Sequence, residues 1–411
     1  MKWILRNAFY LIVSAVVIAF FIAEWNSGRF LLHDFEVYYS AAKAYLNGQQ
    51  IYGKAFGLNS GFFKYAPLSL YLFIPLALLP FTVAKIVFYF LVVGAILGCF
   101  RLCSSLLSAC FMPEKGKVKF MTLLLTFILA GPHLFRELEL GNVNIMLLLL
   151  FCSALLLLRK GKDLLAGIII AAGVLIKLHF VILIPLLLFR KKYKTVLVFF
   201  LALFAGGLFP LLLSGYTKGL VLNRQWIQAV MEHNRSLLSF PDTIYSILYR
   251  YLIRFVYPEA GVGFIVSVLI CVGVAFLILL LQHFKQEART EGVTDQALLR
   301  EKNFAFEYFF LLALIPNILA TDTEHFLYAI PLILFSVQRF LISEKRMIFV
   351  LFFILMAFTY SDPGNDVLGK GLSDWLELHG FTGIGNVLLL ISSLILFSRL
   401  NKQGAVSPSK P

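Results

Sequence analysis

Two acids and two tyrosines form the first stretch of this sequence with the makings of chemistry. Asp34 and Glu36 precede Tyr38 and Tyr39 in His33-Asp34-Phe35-Glu36-Val37-Tyr38-Tyr39, directly after the first long apolar segment. A carboxylate within hydrogen-bond reach of a hydroxyl can act as its general base. Tyrosines can stack against a sugar face and donate hydrogen bonds. Gly48, Tyr52 and Phe63-Lys64-Tyr65-Ala66-Pro67 follow in the same region. The spacing also suits a structural role, with Asp34 as the N-cap of an interfacial helix and the tyrosines as interface anchors. Both readings stay open on spacing alone.

Four further clusters carry polar groups. Arg136-Glu137-Leu138-Glu139-Leu140-Gly141-Asn142-Val143-Asn144 runs into an apolar segment; amides entering a membrane helix either cap it or line a site. Lys177-Leu178-His179 lies between two short apolar arms, where a lysine and a histidine suit a phosphate. The stretch from Trp226 to Ser236 adds His233, Asn234 and Ser236, which taken singly read as loop residues. Asp322-Thr323-Glu324-His325-Phe326 opens a late apolar segment, and His325 alone reads as structural. No Walker loop, zinc motif or nucleophile elbow is present.

The elements that position these residues are set by composition. The chain of 411 residues is 60% hydrophobic and 14% charged, with 42 phenylalanines; soluble domains carry roughly 25% charged residues. Mean hydropathy is +0.87. The apolar runs are continuous and of helical length, which excludes an outer-membrane barrel and predicts an all-α polytopic membrane protein. The formal charge of +14 then marks cytoplasmic loops, not nucleic-acid binding. The five cysteines show no disulfide or zinc spacing. The N-terminal apolar segment lacks a cleavage site before Glu24-Trp25 and reads as an uncleaved first span.

Placing every basic cluster in the cytoplasm predicts about twelve spans, near 8–23, 83–103, 118–134, 143–158, 164–177, 178–190, 195–214, 261–282, 303–320, 326–341, 347–360 and 383–398. Both ends are then cytoplasmic, and Trp25, Trp226 and Trp375 fall on or near the outer side. Residues 1–398 form one transmembrane domain, with an outer loop at 24–82 and a second at 215–260, followed by a cytoplasmic tail at 399–411. Pro67 to Pro80 is apolar but reaches only about 20 Å at 1.5 Å per residue, short of the ~30 Å hydrocarbon core. It reads as an interfacial helix within the first loop. The arms of 164–190 are also short, so the turn at Lys177 lies below the outer surface, as broken helices do when they line an enclosed cavity.

Taken in order, Asp34-Phe35-x-x-Tyr38-Tyr39-x-Ala41-Ala42, Leu46-x-Gly48-x-x-x-Tyr52, Phe63-Lys64-Tyr65-x-Pro67-Leu68 and Pro75-Leu76-x-x-Leu79-Pro80 resemble the N-terminal signature of family 87 glycosyltransferases. These are polytopic enzymes of the GT-C class that use polyprenyl-phosphate sugars. Gly141-Asn142-x-Asn144 resembles their Gly-Gln-x-Asn motif, and Ala166-Gly167 through Lys177 their helix ending in lysine. Asn234-Arg235-Ser236-Leu237 is similar to their Asn-Gln-Ser-Leu motif, and Glu324-His325-Phe326 to their His-Tyr motif. Asn142, Arg235 and Phe326 depart from the usual residues, which bears on the sugar and acceptor more than on the class.

The resemblance implies a GT-C-type bundle and an inverting transfer of a hexose, most often mannose, from a polyprenyl-phosphate donor. The acceptor would be a lipid-linked or surface glycan at the outer face of the inner membrane. It implies Asp34 as general base, with His325 assisting, and Lys177 and His179 at the donor phosphate. Tyr38, Tyr39, Lys64, Tyr65, Glu137, Asn142, Asn144, Asn234 and Ser236 would line the substrate site. No cofactor and no obligatory metal are expected, because buried cations can stabilise a monophosphate leaving group. A lipid-linked glycan transporter or flippase is the alternative; it should carry charges along a central path, where Glu307 is the main intramembrane acid. A non-catalytic scaffold does not explain the ordered motifs.

Overall fold

A computed structural model of the chain describes residues 2–57, 61–112, 118–233, 240–259, 261–289, 296–319, 322–343 and 346–406. Asn234, Ser236 and the tail residues 407–411 lie outside the described residues, as do Lys115 and Lys117. The protein is an all-α polytopic membrane protein. Among the described residues, seven helices are long and apolar enough to cross a membrane: Asn7–Asn26, Phe81–Phe111, Phe120–Leu140, Tyr193–Ser214, Val262–Gln282, Thr323–Ile342 and Phe381–Asn401. They coincide with seven of the twelve expected spans. Four other expected spans are shorter apolar helices, including Asp163–Ile176 and Leu178–Phe189. The expected span at 303–320 falls in a helix, Gln296–Ile318, that also carries Glu301, Lys302 and Glu307.

The chain divides into two compact units. The first comprises Met1–Leu102 and Leu134–Ser236. It holds α1 (Lys2–Asn26), α2 (His33–Leu46), α3 (Pro67–Ala77), most of α4 (Phe81–Phe111) and the end of α5 (Phe120–Leu140). There follow α6 (Asn144–Arg159), α7 (Asp163–Ile176), α8 (Leu183–Phe189), α9 (Tyr193–Ser214) and α10 (Tyr216–His233). About half of the expected outer loop 24–82 is thus helical. Its remaining strand pair, β1 (Ala55–Phe56) against β2 (Gly61–Phe62), is antiparallel with Ala55 opposite Phe62.

Local sequence explains the elements that matter for the site. Helix α2 starts at His33 with Asp34 and Glu36 in its first turn and Lys43 in its last, each at the end of the helix dipole that favours its charge. Helix α3 starts on Pro67, a residue pre-shaped for a first helical turn. Helix α7 ends where Lys177 turns extended, at φ −133° and ψ 108°, and a 3-10 turn over Leu178–Ile182 follows. Gly173 lets α7 lie directly on the Phe151 ring of α6; a Cβ there would overlap that ring. The Ala66 N–H donates to the Leu175 carbonyl at 3.0 Å, which docks the start of α3 on the end of α7.

The second unit comprises Cys103–His133 and Leu237–Pro411. Its further helices are α11 (Ile244–Tyr251), α12 (Val262–Arg289), α13 (Gln296–Ile318), α14 (Ile330–Ile342), α15 (Arg346–Phe358), α16 (Asn365–Leu368), α17 (Lys370–Leu378) and α18 (Phe381–Val406). Apolar contact alone does not favour protein over lipid, so buried polar groups hold such helices together. The Asn317 amide donates to the carbonyls of Asp242 and Gly383, each at 3.0 Å, and the Asn386 amide donates to Asn317 Oδ1 at 2.7 Å. Ser336 meets Ser393 at 2.8 Å, and the Phe306 and Phe397 rings stack with centroids 3.9 Å apart.

Candidate active site

Asp34 and Tyr38 are one helical turn apart on α2 and so share a face. The Asp34 carboxylate is half-buried, and its Oδ2 accepts from the amide nitrogen of Asn142 at 2.5 Å. Tyr38 is buried, its hydroxyl 2.7 Å from that of Tyr65 and 3.4 Å from Asn142 Oδ1. Burial first, then the neighbouring Tyr65 and Asp34, hold the Tyr38 phenol well above its usual range. Tyr38 therefore stays a neutral donor beside the acid. Asp34 is not the helix cap: the cap position is Leu32, and no side chain caps the helix.

Leu32 adopts the left-handed conformation, φ 52° and ψ 61°, which costs a residue with a Cβ about 1–2 kcal/mol. It is buried and packs on the turn between α5 and α6. In that turn Gly141 also has positive φ, +65°, and a Cβ there would come within 3.0 Å of the Phe35 Cβ and 3.1 Å of the Leu32 Cβ. The turn and the start of α2 touch because residue 141 has no side chain. That contact carries Asn142 to Asp34.

The same turn carries a second amide to a lysine. Glu137, fully buried, accepts from the Ile145 N–H at 2.8 Å and from the Asn144 amide nitrogen at 2.9 Å. Asn144 Oδ1 accepts from the Lys177 ammonium at 2.5 Å. The two amides of Gly141-Asn142-Val143-Asn144 therefore part, one to the acid and one to the cation. This arrangement can orient a base and hold a cation around a common turn.

The other predicted positions fall around this core. Lys64 and Tyr65 are pinned through their backbones: the Trp226 indole donates to the Lys64 carbonyl at 3.1 Å, and the Tyr52 hydroxyl to the Tyr65 carbonyl at 2.7 Å. Tyr39 lies about 100° further round α2 than Tyr38; its hydroxyl donates to the Leu79 carbonyl at 2.8 Å and its ring packs on Phe81. His179 sits in the 3-10 turn against the Phe180 ring. Neither Tyr52 nor Trp226 is marked by spacing as a support of this loop; their types alone, aromatics with one polar atom, hint at it.

His325 belongs to the second unit. It is buried, with Nδ1 3.1 Å from the Asp322 carbonyl and 3.9 Å from Glu324 Oε1. Donor atoms of Asp322, Glu324 and His325 all lie within 4.8 Å of one another, the one group among the described residues able to hold a metal ion. Two carboxylates and an imidazole suit a cation such as manganese.

No curated protein matches the chain. The family model for glycosyltransferase family 87 matches residues 62–299, more than half of the sequence. The match runs from the strand pair that precedes Lys64, through Glu137, Asn142, Asn144 and Lys177, into the first turn of the helix Gln296–Ile318. The chain belongs to glycosyltransferase family 87 and is a multi-pass membrane glycosyltransferase.

Proposed function

We propose that the protein transfers a hexose, mannose by family precedent, from a polyprenyl-phosphate donor to a hydroxyl of a lipid-linked or surface glycan. The site faces the outer side of the inner membrane. Asp34 takes the acceptor proton as the acceptor oxygen attacks the anomeric carbon. The bond from that carbon to the phosphate oxygen breaks, the configuration inverts, and polyprenyl phosphate leaves with the bonding pair. Lys177 stabilises the charge that develops on the leaving phosphate, as a preorganised cation. Tyr38 and Tyr65 offer their paired hydroxyls to a sugar.

The observation that carries this reading is the parting of the two amides of a single turn, with Asn142 on Asp34 and Asn144 on Lys177. A base and a phosphate partner set from one short turn suit a reaction in which one bond forms as another breaks. The purified protein is to be incubated with a panel of polyprenyl-phosphate hexoses and glycolipid acceptors, following release of lipid phosphate and glycosylated product. Transfer from at least one such donor is expected. Transfer only from nucleotide sugars, or movement of intact glycolipid across vesicles without transfer, contradicts the proposal, and the second favours the transporter.

A further inference from the structure

We propose that Glu137 is a positioning residue: through the amide of Asn144 it sets where the Lys177 ammonium stands, and so sets the affinity of the site for a polyprenyl phosphate. The inference rests on Lys177 being the phosphate partner.

The argument follows from which atoms can donate. A carboxylate that accepts two N–H bonds offers no donor. The Glu137 oxygens take the Ile145 N–H at 2.8 Å and the Asn144 amide nitrogen at 2.9 Å. The NH2 of Asn144 is therefore committed to Glu137, and its Oδ1 must point away, towards Lys177, from which it accepts at 2.5 Å. Were the amide reversed, an oxygen would face a carboxylate and a donor would face an ammonium. Both contacts are repulsive, and in a buried site they are costly. Glu137, completely buried, is bonded to the first turn of α6 through Ile145, so the frame is stiff. Lys177 stands at the break after α7, where its backbone is extended, and a long flexible side chain there needs an anchor to hold one position.

The chemistry of the anchor also matters. Asn144 is neutral, so it holds the ammonium without cancelling its charge. A carboxylate in the same place would form an ion pair that an incoming phosphate has to break. The anion, Glu137, instead sits one residue behind the contact.

The test measures dissociation constants for polyprenyl monophosphate, together with donor KM and kcat, in the folded full-length protein. Glu137→Gln should raise the dissociation constant and the donor KM about tenfold. At saturating donor kcat should fall as well, because the displaced ammonium also stabilises the charge that develops on the leaving phosphate. The double variant Glu137→Gln with Asn144→Asp restores a complementary donor and acceptor pattern and should recover the melting temperature. It should still bind polyprenyl phosphate weakly, because a carboxylate now contacts Lys177 directly. If the single variant fails to fold, the double variant carries the test. Wild-type affinity in Glu137→Gln overturns the positioning role, as does a loss confined to kcat. Wild-type affinity in the double variant overturns the part played by the neutral carbonyl. A wild-type protein that binds no polyprenyl phosphate overturns the proposed donor instead, so the two failures are distinct.

Discussion

The amide nitrogen of Asn142 donates to Oδ2 of Asp34 at 2.5 Å, while the oxygen of the same amide accepts from the Val143 N–H at 2.7 Å. The backbone at the start of α6 thereby prevents the amide from turning over. A donor is always presented to the acid, which keeps the carboxylate oriented.

Removing that donor should slow turnover more than it weakens binding. Asn142→Ala should lower kcat by about 10- to 100-fold and leave donor KM within about threefold, because the group lost acts on the base. Initial rates over a range of donor concentration decide the matter; an unchanged kcat would show that Asp34 needs no such partner.

Gly141 is the hinge of the arrangement. Gly141→Ala places a Cβ at φ +65° and within 3.0 Å of the Phe35 Cβ. The left-handed backbone alone costs about 1–2 kcal/mol, and the contact adds to it. A fall in melting temperature is expected, together with a kcat loss at least as large as that of Asn142→Ala, since the turn that brings Asn142 to Asp34 is displaced. A variant as stable and active as wild type would mean that the turn and α2 do not pack as described.

In the second unit, burial pushes the Asp242 carboxyl up to about 6, against an ordinary 3.8, although the Gly383 N–H donates to it at 2.8 Å and pulls the other way. The folded protein holds this proton more tightly than the unfolded chain. The associated stabilisation is complete below about pH 4 and is lost as pH rises through about 6. Melting temperature measured across pH 4 to 7 should show this loss, and Asp242→Asn should flatten it. An equal slope in wild type and variant would remove Asp242 as its source.

The proposed mechanism needs no metal at the transfer step, whereas Asp322, Glu324 and His325 form a group able to hold one. Treatment with a chelator should leave the transfer rate within about twofold. Loss of activity on chelation, restored by manganese, would assign the leaving-group charge to an ion and not to Lys177 alone.

Much of this organisation is legible in the sequence. Pro67 starts a short helix, and the arms on either side of Lys177 are short helices, as the lengths of their apolar runs foretell. Both features depend on local signals, namely proline and the length of an apolar run. Asp34, Tyr38, Tyr65 and Asn142 can be marked as polar residues at the ends of apolar segments, and they meet. Their partnerships are not legible, because hydrogen bonds between residues 108 positions apart depend on packing. Leu32 gives no sign of its left-handed turn, since leucine rarely adopts one. Of the two readings open for Asp34, the cap fails for the same reason: an unusual residue takes the cap position and leaves the acid within the first turn. Residues 303–320 read as a span, yet their helix begins among charged residues at Gln296 and carries Glu307.

The most direct test of the central claim is the transfer rate of Asp34→Asn with a polyprenyl-phosphate hexose and its acceptor, in protein shown to be folded and still able to bind polyprenyl phosphate. The account predicts a loss of about 100- to 10,000-fold in kcat, the range expected for removal of a general base, with binding of the lipid phosphate retained. A variant that turns over at near the wild-type rate would contradict it, and the base would have to be sought elsewhere.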